Sequence, residues 1–217
     1  MVKIEFEGVD GSGKTTGLKY FIEEARKLGL SVVETREVGN PSIPACVKMR
    51  ELVLDPNSNL TGEAMELIFS AMRFENDKWM EGLIKSDNPP DFVVSDRGWF
   101  SHLAYTDHNV SSEFTRILYR GVVEELTFTP DVVIYFKVST DTALARRVKR
   151  GTGMDVIEMK GIEFQNKVRD SFEKYMNTYE IKRGIGPQIF VIDANQTIEE
   201  VQSDLDEILS ILVAESA

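Results

Sequence analysis

The sequence predicts an α/β fold, a parallel sheet covered by helices on both faces, and three observations predict it. Apolar β-rich runs alternate with helical patterns from one end of the chain to the other. Phe92-Val93-Val94 and Val132-Val133-Ile134 are apolar without alternation, as strands buried on both faces must be. A glycine-rich turn joins the first strand directly to the first helix. Five strands follow from these patterns, at residues 2–7, 31–35, 92–95, 132–138 and 189–192.

Helices fill the gaps. The first carries Leu18, Phe21, Ile22, Ala25 and Leu28 at helical spacing, and Gly29 marks its end. A long helix runs from 61 to about 85, and Asn88-Pro89-Pro90 stops it before the third strand. Another begins around Ser139 after the fourth strand. A further one spans 160 to about 182, with Phe164, Val168, Phe172, Tyr175 and Tyr179 along one side. The last opens on a Thr197/Glu200 capping box and repeats Val201, Leu205, Ile208, Leu209 and Leu212 on one stripe. Nothing resembles a repeat or a linker, so 1–217 is expected to form one domain.

The 217 residues include 25 Lys and Arg against 36 Asp and Glu, a formal net charge of −11. That balance speaks against broad nucleic-acid or anionic-membrane binding, both of which need a basic face. From Gly184 onward there are seven acids and no Lys or Arg; the first 183 residues hold 25 basic against 29 acidic residues. Cys46 is the only cysteine, which excludes an intramolecular disulfide and fits a reducing compartment. Met1-Val2-Lys3-Ile4-Glu5 turns charged at once, and no apolar run approaches the roughly 20 residues of a membrane span. A soluble, cytoplasmic protein is expected.

Gly8-Val9-Asp10-Gly11-Ser12-Gly13-Lys14-Thr15, followed by Thr16, matches G-x-x-x-x-G-K-[ST] in its proper context between a strand and a helix. Its glycines let backbone N–H groups turn inward around a phosphate at the positive end of a helix. Lys14 would neutralise the β- and γ-oxygens, and the Thr15 hydroxyl would ligate Mg²⁺. Such a loop indicates nucleoside triphosphate binding, which GTPases, remodelling ATPases and small-molecule kinases share. The nearest string to a guanine-reading N-K-x-D is Asn166-Lys167-Val168-Arg169, which lacks the aspartate, and large ATPases need more chain. Small-molecule kinases are left as the leading class.

The third strand ends in Ser95-Asp96-Arg97, at the carboxyl edge of the sheet where open α/β folds bind ligands. Asp96 would hold Mg²⁺ through water and Arg97 would grip an anionic acceptor; a surface ion pair is the plainer alternative. Asp10 inside the phosphate loop repels a phosphate unless it serves a metal or a substrate hydroxyl.

These residues resemble thymidylate kinases along almost the full chain. The matching strings are residues 7–16, Thr35-Arg36-Glu37, Phe69-Ser70-Ala71-Met72-Arg73, Asp96-Arg97 with 101–105, Pro130-Asp131 and Ile192-Asp193-Ala194. The resemblance implies a three-layer P-loop kinase fold with sheet order 2-3-1-4-5, and Mg²⁺-dependent transfer of a phosphoryl group from ATP to dTMP. It makes Phe69 the aromatic that stacks on thymine, Arg73 the donor to its exocyclic oxygen, and Arg36 and Arg97 the clamp on the acceptor phosphate. Asp10 falls near the 3′-hydroxyl, Tyr105 crowds a ribose 2′-hydroxyl, and His102 stands where a polar residue often touches the base. As ordinary residues, Phe69 fits a core position beside Leu67 and Ile68, Arg73 a solvated helix arginine, and Tyr105 a half-buried tyrosine. The family also implies a homodimer.

Arg146-Arg147-Val148-Lys149-Arg150 puts four positive charges into five residues, at the position of the kinase lid, about 146–160. Members of the family place a catalytic arginine either in the phosphate loop or in the lid. Since Asp10-Gly11-Ser12-Gly13 has none, Arg146 and Arg150 are the candidates, with Arg147 beside them. The sequence also departs from the family. The usual E-P-G-G reads Glu37-Val38-Gly39-Asn40, and the lid's D-R reads Asp155-Val156, with Asp155 and Glu158 as further lid or metal candidates. Two alternatives stay open: a kinase of the same fold for another (deoxy)nucleoside monophosphate or a nucleoside, and a catalytically silent nucleotide-binding protein.

Overall fold

The structure is a computed structural model that describes residues 1–108, 111, 113–114, 117, 129–150, 161–181 and 186–216. Five strands, β1 (Val2–Glu7), β2 (Val32–Arg36), β3 (Phe92–Asp96), β4 (Val132–Lys137) and β5 (Gln188–Asp193), form one sheet of order β2-β3-β1-β4-β5. Every pairing is parallel, with Ile4 opposite Val94 on one side and Val132 on the other. The predicted architecture is therefore observed, with strand ends displaced by a residue.

Among the described residues seven α-helices accompany the sheet: α1 (Lys14–Lys27), α2 (Pro44–Leu54), α3 (Gly62–Ile84), α4 (Trp99–Thr106), α5 (Thr140–Arg150), α6 (Gly161–Ile181) and α7 (Ile198–Ser216). Their contacts pair α1 with α7, α4 with α6, and α2 with α3. None is long and apolar enough to cross a membrane.

Local chemistry sets three of the helix ends. Thr61 Oγ1 accepts from Ala64 N at the start of α3, and Thr197 and Glu200 exchange backbone and side-chain bonds ahead of α7, as the capping box predicts. After α1, Gly29 turns left-handed at φ 85, Gly29 N donates to Arg26 O and Leu30 N to Ala25 O, closing a Schellman motif. This corrects the placement of Leu28 on the buried stripe: it lies past the last turn and is 62% exposed. The Tyr179 side chain lies outside the described residues. Helix α2 has no predicted counterpart, because its buried face is only Cys46 and Val53, too thin a stripe to read against Pro44 at its start.

The main core gathers Ile4, Phe6, Phe21, Phe92, Ile134, Phe136 and Phe172 around the central strands. The even positions of β1 join it. The odd positions, Lys3, Glu5 and Glu7, are charged and equally buried on the opposite face. An alternating strand ordinarily turns its polar side to water; here that side faces α3 and α4 and becomes the floor of the site.

Candidate functional site

The phosphate loop leaves β1 through Gly8, Gly11 and Gly13, whose φ values of 147, 87 and 91 all fall in the region that favours glycine. Lys14 is buried, with Nζ 3.8 Å from Asp96 Oδ1, and Thr15 Oγ1 donates to Asp96 Oδ2 at 2.9 Å. The sheet register thus brings together the two residues singled out as Mg²⁺ ligands. Asp96 Oδ1 is buried without a hydrogen-bond partner, and a hydroxyl beside a carboxylate is the hard-oxygen set a magnesium ion takes together with substrate phosphates. Among the described residues no cluster of three His, Cys, Asp or Glu could hold a metal ion. Burial would raise the Asp96 carboxyl, but Lys14 and Arg97 outweigh it and hold the group below its ordinary range; burial also lowers Lys14, with Arg97 adding to the shift.

Arg97 follows β3 at φ 71, an uncommon backbone for a side-chain-bearing residue. It turns back over the phosphate loop. Nη1 donates to Gly8 O at 3.1 Å and Ser101 Oγ at 3.0 Å, and Nη2 pairs with Asp10 Oδ1. The guanidinium lies 5.2 Å from the Tyr105 ring centroid, and the Tyr105 hydroxyl donates to Asp10 Oδ2 at 3.2 Å. Burial opposes ionisation of Asp10, yet the Arg97 and Lys14 charges prevail and lower it to about 2.

Beyond this cluster opens a cleft whose wall includes Asp10, Arg50, Phe69, Arg73, Arg97, His102 and Tyr105. Six of these seven carry predicted substrate roles. Phe69, 7% exposed, joins a small cluster with Met65, Met72, Cys46 and Val53 while lining the cleft, so its core and site readings coincide. Arg73 is no solvated helix arginine: it is 4% exposed, with Nη1 2.9 Å from Glu37 Oε2 and Nη2 donating to Gly98 O at 3.0 Å. Arg36 does not join them. It stands exposed at the end of β2, opposite Asp96 in the register, outside the lining of this cleft.

Arg50 and Glu66 were missed. Arg50 reaches in from α2, donates to Val38 O at 2.7 Å and lies so close over Gly39 that a Cβ there would meet its Cδ at 2.4 Å. Its signal was slight, a lone arginine on an unpredicted helix. Glu66 lies one turn before Phe69 on α3 and accepts from Thr106 Oγ1 at 2.6 Å; its spacing from Phe69 and Arg73 was the readable clue. The departing string Glu37-Val38-Gly39-Asn40, whose Glu37–Val38 peptide is cis, is anchored by Asn40 Nδ2 to Asn76 Oδ1 at 2.7 Å, and Asn76 Nδ2 in turn donates to Glu37 Oε1 at 2.8 Å.

The charged face of β1 carries this wall. Lys3 Nζ lies 3.0 Å from Glu5 Oε1 and 3.3 Å from Glu37 Oε1, closing a buried network on Arg73. Glu5 Oε2 accepts from Trp99 N at 3.0 Å, and Glu7 Oε1 accepts from Gly98 N at 3.0 Å and Ser101 N at 2.9 Å. Two buried carboxylates thus satisfy amides that the start of α4 leaves open. Burial, reinforced by the neighbouring Glu5 charge, pushes Glu7 up to about 7.

On the other side, α5 lies against the phosphate loop. Arg146 Nη1 donates to Ser12 O at 3.3 Å, and a Cβ on Gly11 would meet Ala143 O at 2.4 Å and Arg147 Cγ at 3.1 Å. The Arg150 side chain and residues 151–160, with Gly151–Met154, Asp155, Val156 and Glu158, lie outside the described residues.

His102 points into the cleft wall, and His108 bonds Lys167 O and Ser171 Oγ across to α6, a structural link. Burial, with Arg73 adding to it, lowers His102 to about 3 against an ordinary 6.5. The folded chain therefore keeps it neutral while the unfolded chain protonates, so its stabilisation is lost as pH falls from about 6.5 toward 3, by ~1.4 kcal/mol per pH unit. The difference in unfolding free energy between the wild type and His102→Asn should rise with that slope and level off above about pH 6.5. Denaturant titrations from about pH 4 to about pH 8 measure it, and a pH-independent difference would show that His102 takes up its proton without unfolding.

Comparison with known proteins agrees along the chain. A family model described as thymidylate kinase matches residues 6–205. A thymidylate kinase of Legionella pneumophila (strain Corby) is 29% identical over 215 residues, covering 95% of this chain and 92% of that protein. Those of Mycoplasmopsis agalactiae and Ectopseudomonas mendocina are each 30% identical, the former over 95% of this chain and 92% of its own, the latter over 97% and 95%.

Proposed function

The chain belongs to the thymidylate kinase family, and we propose that it transfers the γ-phosphoryl group of ATP to dTMP, giving dTDP and ADP. The observation that carries this reading is an arginine shared by two sites: Arg97 touches the phosphate loop at Gly8 and Asp10 and lines the aromatic cleft with Tyr105 and Phe69.

The acceptor phosphate already carries an anionic oxygen near neutral pH, so the reaction needs alignment and charge neutralisation more than a base. In this reading the loop amides and Lys14 hold the donor phosphates. Thr15 and Asp96 would hold Mg²⁺, which would supply positive charge against the phosphate oxygens. Arg97 draws the acceptor phosphate in line. Arg50, on the same wall, supplies a second positive charge there, a place that Arg36 does not occupy. Phe69 stacks on the base and Arg73 donates to its edge, with neutral His102 beside it. Arg146, already on the loop backbone, supplies the lid charge, together with Arg150. Tyr105, held against Asp10, fills the room a ribose 2′-hydroxyl would need. The exposed Leu67 and Phe74, seven residues apart on one face of α3, support a homodimer.

Release of ADP from ATP and Mg²⁺, followed in a coupled assay with dTMP, dUMP, dCMP and dGMP, tests the reading. Turnover with dTMP is expected to exceed that with the other acceptors. Turnover no higher with dTMP than in the acceptor-free blank would reject it, and preference for another monophosphate would move the protein to a neighbouring specificity.

A further inference from the structure

Glu7 is fully buried at the end of β1 and is not among the residues lining the acceptor cleft, yet its carboxylate collects three hydrogen bonds. Oε1 accepts from the Gly98 and Ser101 amides at 3.0 and 2.9 Å, and Oε2 accepts from the Ser101 hydroxyl. That hydroxyl owns one proton. While it points at Glu7 in its ionised form, whose oxygens can only accept, the Ser101 oxygen presents lone pairs to Arg97, whose Nη1 donates to it at 3.0 Å. Ser101 Oγ, Gly8 O and Asp10 together occupy three of the five guanidinium N–H groups and fix its plane.

We propose that Glu7 is a positioning residue for phosphoryl transfer: it sets the direction of the Ser101 hydroxyl, and through that hydroxyl holds the Arg97 guanidinium in the plane that meets the acceptor phosphate. The proposal rests on the reading of Arg97 as the acceptor clamp. Its distinctive element is hydrogen-bond polarity, since an amide in place of the carboxylate would donate to Ser101. The Ser101 oxygen would then spend a lone pair on that amide, and its proton would lose the acceptor that fixes its direction relative to Arg97.

Glu7→Gln keeps the shape and one acceptor for the two backbone amides while reversing that polarity. Its kcat with dTMP should fall about 10–100-fold, the range typical of groups that orient a functional residue from behind, with KM for ATP unchanged. Ser101→Ala removes the relay and should lower kcat to a similar extent. In the double variant the second substitution should add less than about 3-fold, because both act through one hydroxyl. Losses that multiply, or wild-type kcat in Glu7→Gln, would overturn the proposal. If Glu7→Gln fails to fold by circular dichroism, Ser101→Ala decides alone, since wild-type kcat there leaves Glu7 no route to Arg97. Wild-type enzyme inactive toward dTMP would instead overturn the functional reading and the relay with it, a result distinct from active variants of an active enzyme.

Discussion

Arg97→Ala is expected to lose about three orders of magnitude in turnover while the protein stays folded, the scale on which phosphoryl-transfer arginines act. The loss has two parts. The acceptor phosphate loses its positive partner, and Asp10 loses the neighbour that does most to keep it ionised against burial. Gly8 O and Ser101 Oγ lose the donor they share. Arg97→Lys should recover little, because an ammonium on a flexible stem cannot hold three acceptors in a plane and also face the acceptor phosphate. Turnover by the coupled assay and secondary structure by circular dichroism check both halves. Wild-type turnover in Arg97→Ala would remove the clamp from the mechanism.

Gly98→Ala should damage stability and activity together. A Cβ at Gly98 would stand 2.0 Å from Glu5 Cδ and 2.2 Å from Glu5 Oε2. That carboxylate has nowhere easy to go, being bonded to Lys3 and to Trp99 N inside the sheet. Overpacking of this kind costs ~1–3 kcal/mol, and an amide left unmatched at the start of α4 adds a comparable ~1–3 kcal/mol. Since Gly98 O holds Arg73 and α4 carries Ser101, His102 and Tyr105, a shifted turn should also raise KM for dTMP. Denaturant unfolding and steady-state kinetics on the same preparation test the pair; undiminished stability would mean that β1 and the turn yield more readily than their bonding implies.

How far the sequence foretold this site depends on where each residue's partners lie along the chain. The phosphate loop, Asp96 and Arg97 were legible because a strand, a turn and a helix in fixed order place them, and sheet register does the rest. Phe69 and Arg73 could be assigned by resemblance, but the burial of Arg73 depends on Glu37, 36 residues earlier, and that of Phe69 on Cys46 and Val53 of an unpredicted helix. The start of α4 was not legible as a helix. Gly98 offers no side chain, and the acceptors for its first amides stand on β1, more than ninety residues earlier. Read locally, Val2–Glu7 alternates like a half-exposed strand, so nothing nearby announces that Glu5 and Glu7 are buried. Arg50 escaped for a similar reason: α2 buries too few residues to show a period.

The contact of Gly11 with Ala143 also bears on how such enzymes diversify. A side chain at Gly11 and α5 in its present seat would claim the same space. A chain of this shape can supply positive charge from the loop or from the helix above it, and moving from one arrangement to the other means vacating one side before filling the other. A single substitution at Gly11 would therefore not add a second arginine to the site; it would lift α5, and Arg146 with it, off the nucleotide loop. Loop and helix therefore have to change as a pair.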